Sequence, residues 1–91
     1  MVKKYTRNKE VISGKLDDEL VMMDIDKGKY FALNPVATRI WELLEDPVTL
    51  QDICRQLMDE YDVPEDQCTR EVDEYLKEMI KKGLVRISDN G

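Results

Sequence analysis

The rhythm of apolar and polar positions changes twice along this chain. The first nine residues, MVKKYTRNK, show no period. Basic and polar throughout, they predict a flexible tail over residues 1–9. From Glu10 the stretch EVISGKLDDELVMMDIDKGKYFAL carries three short β-prone runs, at 11–13, 20–25 and 29–33, separated by LDDE and DKGK. Runs of this length between turn-forming residues predict an antiparallel meander. In the middle run Val21, Met23 and Ile25 alternate with Leu20, Met22 and Asp24. One face can therefore enter a core, while the other is only partly apolar and can stay wet. In the third run Phe31 and Leu33 share one face, and Tyr30 and Ala32 the other.

The period then lengthens to that of helices. Asn34 is a good helix cap and Pro35 suits the first helical position, so NPVATRIWELLED predicts a helix that places Val36, Ile40, Leu43 and Leu44 beside Trp41. The DP dipeptide at 46–47 stops it. A second cap, Thr49, opens TLQDICRQLMDEY, whose Leu50, Ile53, Cys54, Leu57, Met58 and Tyr61 fall at three- and four-residue spacing. The third and longest helix follows in VPEDQCTREVDEYLKEMIKKG, with acids first, two lysines last and Gly83 as terminator, the charge order that suits a helix dipole. LVRI after it reads as a short strand or wing, and residues 89–91 as a flexible end. The expected architecture is α+β and winged helix-turn-helix-like: a three-stranded antiparallel sheet, three helices and a C-terminal wing strand, in one domain over 10–88.

Composition sharpens the picture by exclusion. The chain has 91 residues, 42% of them hydrophobic, enough for one modest core and no second domain. Its 37% of charged residues, net −6, are interleaved with apolar ones, which argues for a folded domain with an anionic surface. No apolar run approaches the roughly 18 residues that a membrane helix needs, and the start lacks the apolar stretch of a secretory signal, so a cytoplasmic location is expected. There is no histidine, and Cys54 and Cys68 are not in a C-x-x-C arrangement. Zinc constellations are excluded and the cysteines read as two small buried apolar side chains, not a disulfide. With four glycines, the chain contains no phosphate-cradling loop and no nucleophile elbow. Neither enzymatic chemistry nor a cofactor is expected. DIDKG, at 24–28, lacks the rest of a calcium loop and reads as a turn.

A winged-helix shape makes DNA the rival ligand, as for a transcription regulator. Phosphate recognition needs Arg and Lys on the outer face of the recognition helix. Here that helix begins PEDQ, and only Lys3, Lys4, Arg7 and Lys9 in the tail support the idea. A peptide is the better guest. The last strand of a meander is an edge, with unpaired N–H and C=O groups that a partner strand can satisfy. If 29–33 is that edge, the third helix can wall the groove beside it. Its apolar residues Cys68, Val72, Tyr75, Leu76, Met79 and Ile80 form a stripe broader than one core contact requires, although any single one of them can equally be core.

Taken in order, YFALN, IWELL, TLQDI, a valine before the third helix and the closing GLV resemble the PqqD-like family. Its members are leader-peptide recognition elements in the biosynthesis of ribosomally made, modified peptides. The resemblance spans roughly residues 10–87; a departure is Ala37, where many relatives have glycine. LNPVATRIW is most similar to the free-standing recognition subunit of lasso peptide pathways, and the pyrroloquinoline quinone chaperone is a less close match. The resemblance implies that a leader segment adds beside the third strand. Backbone pairing would come from Lys29, Tyr30, Phe31, Ala32 and Leu33, and the helical wall from Val72, Tyr75, Leu76 and Met79, with Cys68 at one end. Asp73 or Lys77 would stand at the mouth of a slot for a leader tyrosine. The implied partners are the precursor peptide and a leader-processing protease or other modifying enzyme, with no nucleic acid, no membrane and a monomeric module.

Overall fold

The computed structural model describes residues 2–17 and 19–90. Five strands and three helices follow one another as β1 (Val2–Arg7), β2 (Val11–Leu16), β3 (Glu19–Asp24), β4 (Lys29–Leu33), α1 (Pro35–Leu43), α2 (Leu50–Glu60), α3 (Glu65–Lys81) and β5 (Val85–Asn90). They form two antiparallel sheets, β2-β3-β4 and β1-β5. The expected meander and three helices are present. The terminal strand is no wing of the meander, however: it pairs along its whole length with β1, Arg7 opposite Val85 and Val2 opposite Asn90.

Residues 2–7 of the tail expected to be flexible are therefore corrected to a strand, and residues 89–90 of the end expected to be flexible to the last paired residues of β5, with Met1 and Gly91 outside the described residues. Backbone bonding and one aromatic contact hold β1 where apolar alternation is missing. Tyr5 exchanges hydrogen bonds with Val48, its N–H donating to the Val48 carbonyl at 2.7 Å and its carbonyl accepting at 3.1 Å. Arg7 lies 4.6 Å from the centre of the Trp41 ring and donates through Nε to the Trp41 carbonyl at 3.0 Å. Asn8 closes the end of the strand, donating from its backbone to Leu84 O and from Nδ2 to Gly83 O.

Helix boundaries follow local chemistry. Asn34 Oδ1 accepts from Ala37 N at 2.8 Å, with Pro35 as the first helical residue. Thr49 and Asp52 form a capping box, each side chain satisfying the other's backbone N–H. At the end of α3, Gly83 takes φ +77, letting Gly83 N reach Ile80 O and Leu84 N reach Met79 O. This pair of bonds satisfies carbonyls the last turn would leave open and turns the chain into β5.

Every element except β2 gives the core a buried side chain, and β2 adds the half-buried Val11. Met22, Ile40, Leu44, Ile53, Leu76 and Leu84 are sealed from solvent, and Tyr5 and Val85 bring the β1-β5 ribbon into the same cluster. Each fully buried side chain of this size contributes about 1.5–3 kcal/mol. In β3 the inward face is the one that carries Asp24, together with Leu20 and Met22. Asp24 is only 5% exposed, yet it sits at the strand end, where Oδ1 accepts from Lys27 N and organises the turn into β4. A carboxylate on the core face is thus explained by the turn it serves. Cys54 and Cys68 are buried free thiols between α2 and α3, with Cys68 Sγ 3.9 Å from Cys54 O. Burial, with Cys54 beside it, pushes the Cys68 thiol up to about 11, so it stays protonated and unreactive near neutral pH. Among the described residues no helix is long and apolar enough to cross a membrane.

Candidate functional site: an edge strand beside a helix

In the meander β3 is central, and β4 pairs with it alone, from Leu20 opposite Leu33 to Asp24 opposite Lys29. The other edge of β4 has no strand partner among the described residues. In an antiparallel ladder alternate residues turn both backbone groups to the same side, so this edge offers N–H and C=O groups in a two-residue period. Thr38 Oγ1 donates to the Leu33 carbonyl at 3.3 Å and thereby closes the end nearest α1.

A cleft runs along this edge. Ala32 and Leu33 of β4 form one side, Tyr75, Glu78 and Met79 of α3 the other, and Asn34 and Ala37 the end at the helix cap. Two contacts span it: Asn34 Nδ2 donates to the Tyr75 hydroxyl at 3.1 Å, and the Lys82 ammonium stands 5.3 Å from the Phe31 ring centre. Past Tyr75 the cleft opens into an apolar notch lined by Val36, Leu57, Tyr61, Val63, Cys68 and Val72. Its outer bank is acidic, with Glu71, Glu74 and Glu78 flanking Tyr75 and Val36. Those glutamates recur at three and four residues, the spacing of one helix face.

The structure distributes the expected site residues over the cleft, the notch, the core, the side of α3 facing β1 and the two faces of β4. Ala32, Leu33, Tyr75 and Met79 meet in the cleft, and Cys68 and Val72 form the floor of the notch. Leu76 is wholly buried, turned into the core. Asp73 lies away from the cleft: it pairs with Lys77 at 3.0 Å, and this pair faces Tyr5 of β1, whose phenol is pushed up by burial and then by the Asp73 carboxylate. One residue advances a helix by about 100°, so Asp73 and Lys77, each two positions from Tyr75, look away from it. The polar side chain bonded to Tyr75 itself, at the cleft, is Asn34. Within β4, Tyr30 projects outward on the face opposite the core, Phe31 is half-buried under Lys82, and Lys29 is exposed.

Val36 and Tyr61 were read from the sequence as parts of apolar helix stripes, and neither they nor the three glutamates were expected at the site. The glutamate spacing could have identified the acidic bank once Tyr75 was assigned to the cleft. Nothing local announces Val36 or Tyr61, because each reaches the notch only through helix packing.

Comparison with known proteins gives this geometry a family. Residues 19–85 match the family model described as coenzyme PQQ synthesis protein D (PqqD). The chain belongs to the PqqD family. A solved structure described as TbiB1 in complex with the TbiA(beta) leader peptide is 31% identical, with TM-score 0.82, covering 89% of this chain and 94% of that one. A second, a lasso peptide synthetase B1 complexed with the leader peptide, superposes with TM-score 0.81 at 23% identity, over 90% of this chain and 96% of the other, a likeness of fold. A search of curated proteins found no match. PqqD-family membership accounts for the sheet-then-helices order, and the matched segment contains β3, β4 and all three helices.

Proposed function

We propose that this chain is a non-catalytic recognition module that binds the leader segment of a ribosomally made precursor peptide. The leader adds as a strand to β4, anchors its side chains in the cleft and notch beside α3, and is thereby presented to a leader-cleaving peptidase, with the lasso peptide pathway the favoured setting. The observation that carries this reading is the unpaired β4 edge lying against an apolar cleft, in a fold that two relatives share and that is described for both as bound to a leader peptide. Lys29, Tyr30, Phe31, Ala32 and Leu33 supply the ladder, Tyr75 and Met79 the wall, and Cys68 and Val72 the floor of the notch. Tyr75 must release Asn34 for the peptide to enter. Holding the leader raises the local concentration of the attached core peptide at the peptidase, which accelerates processing without chemistry in this chain. The acidic bank suits a leader with lysine or arginine beside its apolar anchors, and it repels nucleic acid.

The test uses the full chain and leader peptides N-methylated one amide at a time, with affinity read by fluorescence anisotropy. Strand addition predicts a two-residue period, in which alternate methyl groups cost at least tenfold and the intervening ones little. A uniform response along the peptide would overturn the assignment of β4.

A further inference from the structure

The outward face of the three-stranded sheet is not built as a surface for water. Strand pairing sets Ile12 opposite Met23 and Met23 opposite Tyr30, one apolar row across all three strands. Gly14, Val21 and Ala32 form the next row, and Leu16 opposite Glu19 ends the face. Leu16 is 67% and Tyr30 72% exposed, and Ile25 extends the patch beyond Met23. The chain is 37% charged, yet Glu19 is the one charged side chain among these strand positions. Of the eight large hydrophobic side chains exposed among the described residues, five lie here, so they are concentrated and not scattered. A sheet face left to water normally turns polar residues outward, and a contiguous apolar patch of this kind marks a contact surface.

We propose that this face docks the peptidase that acts on the bound precursor, through an apolar patch with a basic margin on that enzyme. The proposal rests on the leader-recognition reading. Continuity chooses the occupant first: β4 is both the last strand of the face and the edge at which the peptide adds. A protein seated on Tyr30 and Ala32 therefore lies against the peptide it must cut. Charge chooses it again. Glu19 borders the face, and no lysine or arginine stands on its strand positions. A second copy would bring another anionic face, with its own Glu19, onto a chain of net charge −6, whereas a basic margin would pair with Glu19.

The test is Ile12→Asp combined with Leu16→Asp, both on β2, the far edge from the peptide. Fluorescein-labelled leader peptide gives binding by anisotropy, and purified peptidase with full-length precursor gives cleavage by mass spectrometry. Leader affinity is expected to stay within twofold of the unaltered chain while the rate of leader removal falls at least tenfold. Leu16→Asp alone, at a largely exposed side chain, gives the same readout should the double variant fail to fold. Unchanged cleavage in a variant that still binds leader overturns the proposal. So does sedimentation of the unaltered chain as a dimer that the substitutions split, since the face then belongs to a second copy. Failure of the unaltered chain to bind leader at all overturns the recognition reading, and the anisotropy measurement distinguishes that outcome from loss of docking.

Discussion

Arg7 does the work of an apolar residue in β1. Its guanidinium covers the Trp41 ring and donates to the Trp41 carbonyl, and burial pulls its pKa down against the opposing carboxylates of Glu45 and Glu42. Arg7→Ala removes a cation–π contact and a charge-assisted hydrogen bond. The expected loss is about 1–3 kcal/mol in urea denaturation, with a red shift of Trp41 emission as water reaches the ring. On the proposed leader-recognition reading, Tyr75 is the corresponding residue for binding. Tyr75→Ala should weaken leader affinity at least tenfold in a calorimetric titration while the far-ultraviolet circular dichroism stays unchanged, because Tyr75 is only half-buried and Leu76 carries the core contact. The sequence shows why Tyr75 was legible and Arg7 was not. Tyr75 lies in an apolar stripe with helical period, whereas Arg7 lies in a basic run whose one inward apolar neighbour, Tyr5, makes no pattern by itself.

Among the elements, α1 and α2 are tied by an exposed fork in which Arg39 Nε reaches Glu60 Oε1 at 2.8 Å and Oε2 at 3.0 Å. The Arg39 hydrogen bond, helped by Gln56, lowers Glu60 to about 2, while Arg39 is raised. A carboxylate depressed in the folded state stabilises above its unfolded pKa and loses that contribution as pH falls through the folded one. The contribution of Glu60 is thus complete above about pH 4.5 and lost on descending to about 2. In urea titrations, Glu60→Gln should be less stable than the unaltered chain at pH 6, and the two should converge near pH 2. The caps at Asn34, Thr49 and Gly83 made the helices legible, since each acts through neighbours within a few residues. Pairing of β1 with β5 joins residues 78 to 88 positions apart, and neither strand alternates well enough to announce it.

For the molecule as a whole, the ribbon and the cleft have separate duties. Deleting residues 1–7 removes Tyr5 from the core and bares Val85, so the melting temperature should fall by 10 °C or more, about 2–3 kcal/mol for a domain of this size. A small drop would mean that β1 is an accessory. The acidic bank makes a second whole-molecule prediction: affinity for a lysine-containing leader should decline as salt rises from 50 to 500 mM, and Glu74→Lys should flatten that dependence. The edge strand was readable from the meander, and the wall from the helical stripe. The notch and the direction of Asp73 depend on how three helices rotate against one another, which a one-dimensional pattern does not contain.

Because Val2 and Asn90 face each other across the ribbon, the two ends of the described residues lie at one spot. A donor and an acceptor dye attached there would report the unzipping of that clasp by energy transfer, and a short bridging linker would allow the gene to be circularised and reopened at a loop of choice.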